Sequence, residues 1–106
     1  MCMNFRETKL FSKQAKKLKV SEKALTELKN ELSDNAEAGK LIPEGGGLRK
    51  IRIALGGRGK RGGGRVIYYI IFYDNILLTY MYSKSDQENL THAQLEALKG
   101  LTKGKQ

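Results

Sequence analysis

Residues 45–73 read GGGLRKIRIALGGRGKRGGGRVIYYIIFY, and the changes of pattern within them decide the fold. Basic and apolar residues alternate from Leu48 to Ala54. A strand with that alternation presents Leu48, Lys50 and Arg52 on one face and Arg49, Ile51 and Ile53 on the other. Nine residues of glycine, lysine and arginine follow, and then Arg65 to Tyr73 is a β-branched and aromatic run that predicts a second strand. Ile76 to Tyr82 predicts a third, joined to the second through Asp74-Asn75, a pair suited to a two-residue hairpin turn. If Tyr73 pairs with Ile76, then Tyr69 meets Tyr80, Ile67 meets Tyr82 and Arg65 meets Lys84 on one face, which reads as an open site because two facing cations repel unless a phosphate binds them. The other face carries Phe72, Ile70 and Tyr68 opposite Leu77, Thr79 and Met81, an apolar layer for helices to cover.

Working outward, Asn4-Phe5-Arg6 reads as a short strand. Phe11, Ala15 and Leu18 then fall at helical spacing, with Lys9, Lys13, Lys16, Lys17 and Lys19 elsewhere on the cylinder. Ser21 is placed to cap a second helix whose stripe is Leu25, Leu28 and Leu32, and so brief a junction predicts an antiparallel helix hairpin. Residues 34–47 hold the only proline and four of the twelve glycines, which predicts a surface crossing without regular structure. After Lys84, Ser85 to Glu88 and Thr91 to Gln94 each fit a capping box, and a short helix to about Lys99 should stop at Gly100. The expected architecture is one α+β domain over residues 1–106: a strand, a two-helix hairpin, three antiparallel strands in a small antiparallel sheet, and a short C-terminal helix.

Seven of the twenty Lys and Arg residues lie between Leu48 and Arg65 with no acidic residue among them, in a chain of net charge +9. Such a concentration repels itself unless a polyanion completes it, so nucleic acid is the first partner to test. Gly57, Gly59 and Gly62 have the spacing of a dinucleotide-binding turn, but that fingerprint needs a following helix and a strand follows here. A phosphate-binding Walker loop fails as well, because no Gly-Lys-Ser/Thr completes it. The glycine-rich segment therefore reads as a flexible basic loop that offers Arg58, Lys60 and Arg61 to phosphates. The single cysteine, Cys2, excludes an internal disulfide and a cysteine zinc cluster. No apolar run approaches the ~20 residues of a membrane span, and the first ten residues lack a signal-peptide core, so a cytoplasmic location is expected. His92 has no catalytic neighbours in sequence and reads as a surface residue.

The order of elements, with GGLRKIRIA, GRGKRGG-RVIYY and LLTYMYSKS, resembles the RelE/ParE toxin superfamily, and its HigB-type members most. The resemblance covers essentially the whole chain. It implies a RelE-like toxin of a type II toxin-antitoxin pair: a ribosome-dependent endoribonuclease that cuts mRNA in the ribosomal A site by 2′-hydroxyl attack and uses neither metal nor cofactor. It also implies a cognate antitoxin partner, expected to be acidic and DNA-binding. Residue by residue, it implies catalytic roles for Lys50, Arg52, Arg65 and Lys84; Arg49, Arg58, Lys60 and Arg61 are, by their charge, the candidates for further RNA contacts. A tyrosine that many relatives carry in the C-terminal segment would fall near Leu90, which cannot carry a proton, so Tyr82 stands in as the candidate. Two other classes are kept open: a ParE-like non-catalytic inhibitor of DNA gyrase and a non-catalytic RNA-binding module.

Overall fold

A computed structural model describes residues 3–55, 63–72 and 74–103. The elements run β1 (Asn4–Glu7), α1 (Lys9–Lys17), α2 (Glu22–Asp34), β2 (Lys40–Leu41), β3 (Arg49–Ile53), β4 (Gly64–Phe72), β5 (Asn75–Ser83) and α3 (His92–Thr102). The strands form one sheet in the order β1-β5-β4-β3-β2. It is α+β as expected, but the sheet is five-stranded and mixed, because β1 pairs parallel to β5 while β2 to β5 are antiparallel. The chain leaves β1 at one edge and returns as β2 at the other, which carries the helix hairpin across one face.

Both hairpin helices begin on side-chain caps: Thr8 Oγ1 accepts from the Phe11 N–H and Ser21 Oγ accepts from the Ala24 N–H. The turn between them places Lys19 at φ 55. There the Val20 N–H donates to the Ala15 carbonyl and the Lys19 N–H to the Lys16 carbonyl, a Schellman closure with lysine where glycine is usual. Phe11, Ala24, Leu28 and Leu32 from the helices meet Ile51, Ile53, Val66, Tyr68, Ile76, Leu78 and Met81 from the sheet. Leu25 packs on this cluster only partly buried, and Ala24 takes the inward position instead.

The β4–β5 hairpin departs from the expected register. Arg65 faces Tyr82, Val66 faces Met81 and Ile67 faces Tyr80, but Tyr68 then faces Leu78. Thr79 is the extra residue, a β-bulge that switches which alternate residues of β5 point to each face. Its hydroxyl and carbonyl are both used: Thr79 Oγ1 donates to the Ile67 carbonyl at 2.8 Å, and the Thr79 carbonyl accepts from Thr8 Oγ1 at 2.7 Å. A second irregularity lies between Ile70 and Phe72, so Asn75 belongs to the strand opposite Phe72 rather than to the turn.

The second face is not the open one that alternation predicts. Leu48, Ile67, Tyr69, Leu77 and Tyr82 form a second core beneath Leu98 of α3, so Tyr69 and Tyr82 are buried. The Thr91–Gln94 capping box forms as expected, while Ser85 to Glu88 stays in turns and bends, and α3 runs through Gly100 to Thr102. Nothing lies within 4 Å of a Cβ at Gly100, so glycine there breaks no contact and the helix continues. Thr91→Ala should lower stability by about 1 kcal/mol in urea denaturation, with Thr91→Ser close to parent; an unchanged midpoint would mean α3 needs no cap. Residues 34–47, expected to be irregular, contain the two-residue strand β2.

Candidate RNA-binding groove

The short β2 creates the groove. Lys40 pairs with Lys50 and Leu41 with Arg49, and because β2 begins only at Lys40, Ile51 to Ile53 have no strand neighbour on that side among the described residues. An open groove of about 460 Å³ lies along this edge, lined by Lys40, Lys50, Arg52 and Arg65 together with Glu31, Ala38 and Ile51. Alternation puts Lys50 and Arg52 on the same face of β3, as expected. Arg65 joins them from β4, directly across the ladder from Arg52. Two like-charge pairs, Lys40 with Lys50 and Arg52 with Arg65, are therefore formed by facing residues, each unfavourable by up to about 1 kcal/mol.

Few groups compensate these charges. Arg52 is exposed and has no hydrogen bond or ion pair among the described residues. Lys50 Nζ donates to Asn89 Oδ1 at 3.2 Å, and Arg65 Nη1 donates to the Gly64 carbonyl at 3.0 Å. Among the described lining residues Glu31, from α2, is the one carboxylate, and no ion pair among them joins it to Lys40, Lys50 or Arg52. The like-charge repulsion that sequence reasoning assigned to Arg65 and Lys84 thus belongs to Arg65 and Arg52.

Lys84 is exposed in the turn after β5, and its N–H donates to the Gly63 carbonyl at 3.0 Å. That places it diagonally beyond Arg65 at the rim, because the register is displaced by two residues from the expected one. Arg49 does not reach the groove: on the opposite face, its Nη1 donates to the carbonyls of Gly39 at 2.8 Å and Glu37 at 3.3 Å, tying down the 35–40 segment. Arg58, Lys60 and Arg61 lie outside the described residues. Sequence reasoning missed Lys40 and Glu31; a two-residue strand leaves no periodicity to find.

Tyr82 stands across the ladder from Arg65, 2% exposed, and its hydroxyl is buried with no hydrogen-bond partner. Burial pushes its phenol above the ordinary value of 10.0, with the nearby Arg65 guanidinium pulling the other way and Tyr80 adding to the rise. The hydroxyl is thus a protonated group buried across the ladder from Arg65, and Tyr82 is not among the groove's described lining residues. Leu90 lines a neighbouring apolar cleft. Among the described residues, no group of three or more His, Cys, Asp or Glu side chains could hold a metal ion, and no helix is long and apolar enough to cross a membrane.

A family model described as the RelE toxin of the RelE/RelB toxin-antitoxin system matches residues 3–106. With nearly the whole chain matched, and with a helix hairpin laid on one face of a mixed sheet, this protein belongs to the RelE toxin family of toxin-antitoxin systems.

Proposed function

We propose that the toxin acts as a ribosome-dependent endoribonuclease on mRNA in the A site, with the basic groove as its active site. The observation that carries this reading is the convergence of Lys40, Lys50, Arg52 and Arg65 on one groove, in two facing like-charge pairs. A fold sustains that repulsion without internal benefit unless an anion occupies the site. The 2′-oxygen attacks the adjacent phosphorus as its proton is taken up. The P–O5′ bond then breaks as the 5′-oxygen gains a proton, leaving a 2′,3′-cyclic phosphate and a 5′-hydroxyl.

Negative charge grows on the phosphoryl oxygens in the transition state, and Arg52 and Arg65 present planar forks suited to it. Lys50, hydrogen-bonded to Asn89, is the candidate for moving a proton, and Lys84 at the rim holds the strand that leaves. Tyr82 can carry a proton only if its hydroxyl, buried in the second core, is first uncovered. While buried, its role is to pack beside Arg65 across the β4–β5 ladder. Arg58, Lys60 and Arg61 add phosphate contacts, and the ribosome supplies the remaining orientation of the strand. A cognate antitoxin neutralises the protein, and we expect it to be acidic in order to match the net charge of +9.

Induction of the chain alone should arrest growth, and purified protein should cut messenger on translating ribosomes while leaving gyrase supercoiling unchanged. Blocked supercoiling with intact messenger would assign the chain to gyrase inhibition. Binding to ribosomes with neither effect would reduce it to an RNA-binding module.

A further inference from the structure

Lys40 and Lys50 stand in the walls of two cavities at once. On one side is the basic groove; on the other is a cleft of about 360 Å³, walled by Leu41, Ile42, Pro43, Leu90 and Leu95. That volume falls within the range of sites for small organic groups, about 300–1,000 Å³. Leu41 is 58% exposed in a two-residue edge strand, so its side chain remains open to a ligand. Asn89 closes one wall. Its Oδ1 accepts from Lys50 Nζ at 3.2 Å, which fixes the orientation of the amide, and no described group accepts from its Nδ2.

We propose that this cleft receives a base of single-stranded RNA whose neighbouring phosphate lies in the basic groove, and that Asn89 and Lys50 select guanine there. The inference rests on the nuclease reading of the groove. A nucleotide is anionic at one end and flat and apolar at the other, and the two cavities offer those surfaces side by side with shared lysines between them. Unpaired RNA is generally read in this way, with a base splayed into a pocket and hydrogen-bonded along its edge. The edge selected follows from the donors present. Asn89 Nδ2 and Lys50 Nζ both offer hydrogens, and the Hoogsteen edge of guanine presents two acceptors, N7 and O6. Adenine would bring its amino group toward the ammonium and compete for the oxygen that Lys50 already engages. A pyrimidine would leave more of the aliphatic wall uncovered.

Two measurements test this. In the first, methyl-labelled protein is titrated with 2′-O-methyl trinucleotides that cannot be cut, one carrying guanine at the centre and one abasic there. The guanine probe should shift the methyl resonances of Leu41, Leu90 and Leu95, and the abasic probe should leave them in place; equal shifts with both, or none with either, overturn the proposal. In the second, cut positions are mapped across messengers on ribosomes. Asn89→Ala should lower the preference for guanine at one position about tenfold, and Asn89→Asp should move it toward bases that present an amino group, cytosine and adenine. Parent-like base distributions in both variants overturn the proposal as well. If the parent protein cuts no messenger, the nuclease reading fails by itself, and the trinucleotide titration still decides what the cleft binds.

Discussion

Arg65→Ala is expected to slow single-turnover messenger cleavage on ribosomes by about a hundredfold to a thousandfold, the usual effect of deleting one preorganised contact to transition-state charge. Arg65→Lys should recover only part of the loss, because the ammonium restores charge without the two-pronged fork. Stability should change little. Arg65 is half-buried and bonded to the Gly64 carbonyl, so the lost contact offsets the relief of repulsion from Arg52. Arg52 isolates the electrostatic part, being exposed, without a partner among the described residues, and directly across from Arg65. Arg52→Ala should leave the protein equally stable or a few tenths of a kcal/mol more stable while cleavage falls. Lys84→Ala, removing a rim cation, should reduce cleavage less than Arg65→Ala. If Arg65→Ala and Arg52→Ala both lower the melting temperature while cutting at parental rates, these arginines are structural and the active site lies elsewhere.

What was legible in the sequence follows the range of the interactions involved. Alternation in Leu48 to Ala54 is local, and it places Lys50 and Arg52 on one face correctly; the Ser21 and Thr91 caps are equally local and form as read. The Thr79 bulge is not local. Its carbonyl is satisfied by Thr8, 71 residues away in sequence, and the nearby Met81 carbonyl accepts from Gln14, 67 residues away. Without knowledge of β1 and α1 docking there, an unbulged hairpin is the simpler reading, and it moves Lys84 opposite Arg65. The face of Tyr69 and Tyr82 was misjudged for a related reason: whether a tyrosine-rich face is a site or a core depends on where α3 lands, and the pattern within β4 and β5 does not encode that. Lys40 escaped notice because β2 is held by pairing and by the loop before it rather than by its own propensity.

Removing the same atom from two buried tyrosines, one of which anchors that loop, should change stability in opposite directions. Tyr68 is fully buried, and its hydroxyl donates to the Ala36 carbonyl at 2.7 Å and accepts from the Gly39 N–H at 2.9 Å. Tyr68→Phe leaves both backbone groups without that partner, in a place where a Cβ on Gly39 would lie 2.8 Å from the ring. A loss of about 1–3 kcal/mol is expected. Because the same segment leads directly into Lys40, ribosome-dependent cleavage should weaken as well. Tyr82→Phe removes a buried hydroxyl with no partner, so the desolvation penalty goes with it and stability should rise by about 1 kcal/mol. The alkaline limb gives an independent check. With the Tyr82 phenol raised by burial, the folded state keeps its proton where the unfolded chain has lost it. Parental stability therefore falls as pH climbs above about 10, and Tyr82→Phe should fall less steeply. Urea midpoints at neutral and alkaline pH decide the point: a destabilised Tyr82→Phe would show that the hydroxyl is satisfied in solution. If Tyr82→Phe gains stability and still cuts messenger at the parental rate, proton transfer belongs to Lys50 or to the ribosome, and Tyr82 serves only to pack the second core beside Arg65.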